Sequence, residues 1–524
     1  MKIVIIGGGT TGVAVATKLR RRIENAEIVI LEKSQEFAIA KCGLPYLLSG
    51  KIKEKNDLLA ATPEQMQRIF KVKVKLEHEV IKINRKNKKL LIQNQRAESY
   101  DKLIIATGAI QLRPDIHGVL GENIFTVNSM QSLERLKNYY YENKVRKVLV
   151  IGANAVGLAF AEALHQLKAN VLITDFAEHI LPSFDADMTL KLEQTLKDKG
   201  IDFCPKSKIT AFKNDIVHFK NGESCRYDMV VIATGKTPDL KLAIMANIEI
   251  GSAGGIKINK YMQTNDRDVY ACGKISEMIN VDTNLPERTN NPATIAKQAR
   301  VVANHIAGIR TPLFGFRNCE IIKIADYSAG ICGISEEKLQ EIGQEYQKVV
   351  LRQFNQSLFY PTPTPIYMKL LFADDGLILG GQIIGKQGVE ERINALSVQM
   401  QHNAKVKDLM FEDVAYHPSI SQPKDIINNI GALAEEVRLN RLKYKDVRTL
   451  EPDTFVIDVC NPNEFVKNGL DNAINLPLTA IRDNLKTIPR NRDIAIYCNS
   501  GYGAYLAYQI LKQNDFDKLY LLES

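Results

Sequence analysis

Residues 2–22, KIVIIGGGTTGVAVATKLRRR, decide the fold. An apolar strand runs into a glycine-rich turn and then into a helix. Gly7, Gly9 and Gly12 satisfy the spacing G-x-G-x-x-G. Gly7 makes the tight turn, Gly9 lets the backbone approach a pyrophosphate, and Gly12 lets helix and strand pack closely. The next strand, EIVILE, ends on Glu32, twenty residues after Gly12, with Lys33 beside it. A carboxylate there accepts from ribose hydroxyls, while the pyrophosphate rests on the helix N-terminus. The residues predict a dinucleotide-binding α/β unit; the alternative is a glycine-rich turn that binds nothing.

A second unit repeats this layout from Lys147: KVLVIGANAVGLAFAEAL, then NVLITD ending on Asp175. Gly152 and Gly157 hold the outer glycine positions and Asn154 the middle one. A side chain there crowds a pyrophosphate, although asparagine tolerates left-handed backbone. Asp175 favours a free 2′-hydroxyl and repels a 2′-phosphate, hence NADH over NADPH. The alternative is a retained fold with a weakened site. YDKLIIATGA (100–109), with Thr107 and Gly108, and YDMVVIATGKTPD (227–239), with Gly235, each join a strand to an ATG turn. MQTNDRDVYACGKI (262–275), with Gly273, marks the return to the first unit. Two units, one embedded in the other, imply two nucleotides facing each other.

Between them lies FAIAKCGLPYLLSG (37–50), which holds a lone cysteine, Cys42. The eight cysteines, at 42, 204, 225, 272, 319, 332, 460 and 498, form no CxxC pair and no zinc spacing. Neither a disulfide framework nor a metal site is expected. A thiolate nucleophile needs nearby positive charge or a helix N-terminus. Lys41 and the helix start in GLPYLLSG both offer this. A buried core cysteine is the alternative.

A length of 524 residues predicts three to four domains. The formal charge of +9, with no dense Lys/Arg tract interleaved with aromatics, points to anionic small ligands and away from nucleic acid. The first strand leaves no room for a signal peptide, and no apolar run reaches membrane-spanning length, so a cytoplasmic protein without a membrane partner is expected.

Together these motifs resemble the two-dinucleotide-fold flavoprotein disulfide reductases. The single cysteine in KCGLPYLLSG narrows the resemblance to the coenzyme A-disulfide reductase, NADH oxidase and persulfide reductase group. It implies FAD in the first unit, NADH in the second, and Cys42 alternating between thiolate and a mixed disulfide with a small thiol, or a sulfenic acid. The second sulfur then comes from the substrate. It implies a homodimer, with Tyr416 and Lys424 in EDVAYHPSISQPKDIINNIG, and Tyr360 in LFYPTPTPIYMKLLF, reaching the partner's active site. Basic residues on the first helix, Lys18, Arg20, Arg21 and Arg22, match positions that hold coenzyme A phosphates, Lys41 joining Lys18, Arg21 and Arg22 as a candidate; a solvated helix face is the alternative.

After residue 440 the chain resembles a rhodanese domain. Its loop runs Cys498-Asn499-Ser500-Gly501-Tyr502-Gly503 into a helix, and backbone N–H groups there favour an anionic sulfur. The expected class is α/β: an FAD domain at 1–145 and 263–315, an NAD(P)H domain at 146–262, an α+β dimerisation domain at 316–432 and a rhodanese-like domain at 440–524. Three departures stand out. Lys274 follows Gly273 where an aspartate binds the flavin ribityl chain, Asn154 replaces a glycine, and Cys460 and Gly503 replace arginines. They leave open a non-catalytic flavoprotein-like sensor or scaffold; an NADH oxidase or peroxidase, with Cys42 cycling through sulfenic acid, is the enzymatic alternative.

Overall fold

The structure, a computed structural model, describes residues 1–522 except 214, 446, 471, 499 and 500. Asn499 and Ser500 of the C-terminal cysteine loop therefore lie outside the described residues. The chain forms two compact units: Met1–Pro182 with Thr189–Asn318, and Ser183–Met188 with Cys319–Ser524.

The first unit holds two parallel five-stranded sheets of the same plan. One orders Val269–Ala271, Lys102–Ile105, Lys2–Ile6, Glu27–Leu31 and Val72–Lys75; the other orders Ile124–Thr126, Met229–Ile232, Lys147–Ile151, Asn170–Thr174 and Ile201–Cys204. Strands buried on both faces read as continuous apolar runs, and Ile3, Val4 and Ile5 are fully buried. Each sheet carries a three-stranded antiparallel meander, at Val80–Asn84, Lys89–Ile92 and Glu98–Ser99 and at Ile209–Lys213, Ile216–Phe219 and Ser224–Arg226. The predicted repeat is therefore real down to its hairpins.

Two segments cross to the other nucleotide unit, and this moves the expected boundaries. Ile124–Thr126, assigned above to the first domain, pairs in parallel with Met229–Ile232 of the second sheet. Ala243, Ala246, Ile248 and Ile256, assigned to the second domain, pack with Val4, Val29 and Leu103 in the first sheet's core. The crossings fall near the two ATG turns, after which Ala109–Gln111 and Lys236–Pro238 pair as an antiparallel ribbon.

The second unit contains an antiparallel sheet, Cys319–Ile324, Tyr327–Gly333, Ile378–Gly385, Pro365–Phe372 and Gln347–Phe354, backed by helices Val389–Gln401 and Ile426–Arg438. A five-stranded parallel sheet follows, with Phe455–Asp458 and Ile494–Tyr497 at its centre. One apolar cluster runs through both, from Val349 and Ile383 to Ile457 and Ile496. Lys369, 1% exposed, is held inside this unit by Asp185 at 3.0 Å, Asp187 at 2.9 Å and Glu336 at 2.5 Å. Among the described residues no helix is long and apolar enough to cross a membrane, and no group of three His, Cys, Asp or Glu could hold a metal.

Candidate functional site

The two glycine-rich turns superimpose in their chemistry. Gly7 and Gly152 have φ of 112° and 113°, conformations that L side chains avoid. A Cβ on Gly12 or Gly157 would overlap the carbonyl oxygen of Gly7 or Gly152. Glu32 Oε2 accepts from Gly8 N–H at 2.7 Å, as Asp175 Oδ2 accepts from Ala153 N–H at 2.6 Å. The other oxygens accept from Ser34 N–H at 2.9 Å and Ala177 N–H at 3.0 Å. Glu32 Oε1 also accepts from Ser34 Oγ at 2.8 Å, so on this side Oε2 is the oxygen that keeps a second lone pair for a ribose hydroxyl.

The helix N-termini differ. Gly9 precedes the helix Thr10–Arg20 with no side-chain cap, and a Cβ there would meet nothing within 4 Å. That open ground fits a pyrophosphate. Asn154 instead caps its own helix, Ala155–Gln166: Oδ1 accepts from Val156 N–H at 3.0 Å and Gly157 N–H at 3.3 Å, while Nδ2 donates to Ala233 O at 2.6 Å. Its backbone is extended, φ −83°, so tolerance of left-handed backbone plays no part. The side chain occupies the amides that a pyrophosphate would use.

Around the first turn the remaining candidates converge. Ala38 N–H donates to Gly8 O at 2.8 Å, pinning the cysteine segment to the glycine turn. Cys42 follows in a short 3₁₀ turn, Lys41–Gly43, which leads into the helix Leu44–Leu48, and is exposed. It is therefore not the buried core cysteine weighed above. Cys272 is that kind of residue: its thiol is fully buried and pushed up to about 12 by desolvation. Gly273, φ 91°, packs where a Cβ would meet Thr11, and carries Lys274 to the same rim. Lys236 arrives on the ribbon, opposite Gln111.

These lysines interact. Burial, and then the charges of Lys274 and Lys41, together lower the pKa of Lys236 to about 8, while Cys42 opposes the shift. Lys274 is lowered by burial and then by Lys41, again with Cys42 opposing. Lys236 was not picked from the sequence; its signal is a cation placed directly after the second ATG turn.

The first unit's residues fit a dinucleotide along Gly7–Gly12, Glu32 and Gly108, whose own rim is open. At Lys274 a donor stands where the resemblance expects an acceptor, which suits phosphate oxygens and not ribityl hydroxyl protons. Lys33 reaches Asp239 Oδ2 at 3.5 Å, and Thr107 Oγ1 donates to Asp239 O at 3.4 Å, so Asp239 ties both to the second ATG segment. Gly235 O accepts from Gln111 Nε2 at 2.9 Å.

The basic residues of the first helix separate. Arg20 is structural: buried, it donates to Phe70 O at 2.7 Å, Ala26 O at 2.9 Å, and Ile23 O and Lys71 O at 3.0 Å. Lys18 has its pKa lowered by burial, then by Arg21 and by Arg300 of the neighbouring helix, which marks a cationic cluster. Arg22 Nε donates to Asn304 Oδ1 at 3.0 Å. Arg300 was legible only once the helices Thr10–Arg20 and Pro292–Ile306 were paired.

In the second unit Tyr416 Oη lies 3.5 Å from Ser357 Oγ, and Tyr360 N–H donates to Ser357 O at 2.9 Å. Gln353 Nε2 donates to Lys424 O at 2.7 Å. Ser357 therefore ties Tyr360 and Tyr416 together, next to the exposed Phe359. Cys498 is buried, its Sγ 3.7 Å from that of Cys460. Gly501, φ 67°, caps the helix Tyr502–Lys512, the helix predicted after that cysteine.

Known proteins share this architecture. The chain matches the family model for pyridine nucleotide-disulphide oxidoreductases over residues 1–297, that of their dimerisation domain over 320–425 and that of the rhodanese-like domain over 440–524. The coenzyme A disulfide reductase of Staphylococcus haemolyticus is 29% identical over 443 residues, covering 83% of this chain and all of that protein. Its counterpart from Staphylococcus aureus (strain bovine RF122 / ET3-1) is 30% identical over 441 residues, with the same coverage. Among solved structures, reduced CoADR-RHD from Bacillus anthracis is 30% identical with a TM-score of 0.96, covering 99% of this chain and 96% of that one. A NAD-dependent persulfide reductase from A. fulgidus is 28% identical with a TM-score of 0.95, covering 100% and 99%.

Proposed function

The chain belongs to the pyridine nucleotide-disulphide oxidoreductase family, and we propose that it uses NADH to reduce low-molecular-weight disulfides or persulfides, coenzyme A derivatives foremost, through Cys42. The observation that carries this reading is an exposed cysteine among three lysines beside the first dinucleotide turn. The names of the relatives, coenzyme A disulfide reductase and NAD-dependent persulfide reductase, support the substrate class. Asp175, fixed by two backbone amides, supports NADH, since its charge repels a 2′-phosphate.

The Cys42 sulfur attacks one sulfur of R–S–S–R, forms the mixed disulfide and releases R–S⁻. Lys236 and Lys274 stabilise negative sulfur at this rim. With its pKa near 8, Lys236 Nζ passes a proton to a departing thiolate more readily than an ordinary lysine. Glu32, Gly108 and the amides at the start of Thr10–Arg20 would hold the FAD nucleotide. When bound, FAD supplies the two-electron relay from the nicotinamide that reopens the mixed disulfide. Lys18, Arg21 and Arg300 form the cationic cluster for coenzyme A phosphates. Homodimerisation would cover the aromatic surface around Tyr360 and Tyr416 and bring these residues and Lys424 to the partner's cysteine. Cys498 is read as a carrier of sulfane sulfur.

Cys42→Ser should abolish NADH-dependent thiol release from coenzyme A disulfide while the flavin stays bound. Unchanged turnover in that variant refutes the mechanism. A second reading, a flavoprotein-like sensor without turnover, is favoured by the hold of Asn154 on its own helix. Purified protein that takes up no FAD and oxidises no NADH supports it.

A further inference from the structure

The C-terminal sheet brings two sulfurs together. Phe455–Asp458 and Ile494–Tyr497 are parallel neighbours with Asp458 opposite Tyr497. The pairing continues one step further, Val459 N–H donating to Tyr497 O at 3.0 Å. Both chains leave the sheet at this edge, where Cys460 and Cys498 stand with Sγ atoms 3.7 Å apart. That is van der Waals contact between two thiols, against about 2.05 Å for a disulfide. Both are nearly inaccessible, 2% and 8% exposed. Cys460 is also fixed in place. Its N–H donates to Oδ1 of the fully buried Asp458 at 2.9 Å, and its carbonyl oxygen accepts from Asn475 Nδ2 at 2.9 Å. Where the sequence resemblance expects an arginine, the fold holds a second redox-capable sulfur against the first.

We propose that Cys460 resolves a persulfide carried on Cys498, releasing hydrogen sulfide and closing a Cys460–Cys498 disulfide. This rests on the reading of Cys498 as a sulfur carrier. In the loading step the Cys498 thiolate takes the sulfane sulfur from a small persulfide, R–S–SH, which departs as R–SH. The Cys460 sulfur then attacks Cys498 Sγ. The bond from Sγ to the sulfane sulfur breaks, and that sulfur leaves as HS⁻ with the electron pair, taking up the proton given up by Cys460. The two cysteine sulfurs are oxidised together by two electrons, and the departing sulfur is reduced by two. Two small thiols reopen the disulfide by exchange and leave as R–S–S–R. That product belongs to the substrate class proposed for Cys42, so NADH closes the cycle within one chain.

The test uses the full-length protein, without oxygen, mixed with one equivalent of glutathione persulfide and quenched by alkylation. Non-reducing peptide maps and released sulfide are then measured. Wild type should give a peptide pair joined through Cys460 and Cys498 and about one equivalent of sulfide per chain, matching the exchange stoichiometry. Cys460→Ser, and Cys460→Ala as a second variant, should keep one extra sulfur atom on Cys498 and release sulfide about tenfold more slowly or less. Wild type that retains the extra sulfur on Cys498, or Cys460→Ser that releases sulfide at the wild-type rate, overturns the inference and leaves the carrier reading standing. A Cys498 that takes up no sulfur in wild type or in either variant overturns both.

Discussion

Replacing Asn154 with glycine should tighten nicotinamide nucleotide binding, and the size of the gain follows from its contacts. In the protein as it stands, a pyrophosphate at the start of the helix Ala155–Gln166 must displace Oδ1 from Val156 and Gly157, and with it the Nδ2 bond to Ala233 O. Losing an asparagine cap costs about 1 kcal/mol. Losing the amide–carbonyl bond costs about 1 kcal/mol more. Asn154→Gly bears this cost in the free protein, where glycine softens the loss of the cap to a few tenths of a kcal/mol. Binding is then relieved of about 2 kcal/mol, roughly 30-fold in Kd. Backbone strain does not interfere, because φ of −83° and ψ of 174° suit either residue. NADH fluorescence titration measures the effect, with circular dichroism and thermal melting to show an intact fold. Asn154→Asp keeps the cap and adds a negative charge, so it should bind more weakly than wild type. A well-folded Asn154→Gly with unchanged or weaker affinity, or an Asn154→Asp that binds more tightly, would refute the assignment of this helix start as an occluded pyrophosphate site.

Lys236 gives a pH signature. Its folded pKa, about 8, lies below the ordinary lysine value of 10.5, so between these values the unfolded chain holds a proton that the folded chain lacks. Stability of the nucleotide-free protein should therefore rise across that window, while below it both states are protonated and the buried charge weighs in full. Thermal midpoints measured across the window should show the rise, and Lys236→Met should flatten it; identical profiles would count against the cluster. In the second unit, Lys369→Ala leaves the buried Asp185 without its cation, while the half-buried Glu336 keeps Lys348 at 3.1 Å. The loss should be about 3–5 kcal/mol by urea unfolding, partly recovered in Lys369→Met with Asp185→Asn.

The local signals in the sequence were sufficient for the nucleotide units because glycine positions carry steric information. Gly7, Gly12, Gly152 and Gly157 cannot be replaced where two backbones touch, and that requirement is visible as spacing alone. Acids that end a strand are equally legible, since their place relative to the glycines is set by the strand and helix lengths. The crossing of Ile124–Thr126 to the second sheet was not legible. Ile124–Thr126 joins the second sheet although it precedes that unit's first strand, Lys147–Ile151. No local pattern encodes which sheet an edge strand joins; register and core packing decide it. The same limit hid Lys236, Arg300 and the contact of Cys460 with Cys498. Each becomes a site residue only through a partner far away in sequence.

The lysine cluster argues against reading the departures from the family pattern as simple decay. Exchanging an acid for Lys274 changes the local charge by two units, and burying Lys236 beside it places like charges together in a poorly solvated rim. Both effects destabilise the folded protein. An anion entering this rim relieves the penalty, whether it is a pyrophosphate or a negative sulfur, by offsetting the like charges of the lysines. Ligand binding and stability are then coupled through the same charges, since whatever binds only the folded form stabilises it. A rim costly when empty and relieved by anions suits a site that alternates between thiolate and disulfide, because each appearance of negative sulfur is met by cations held ready for it.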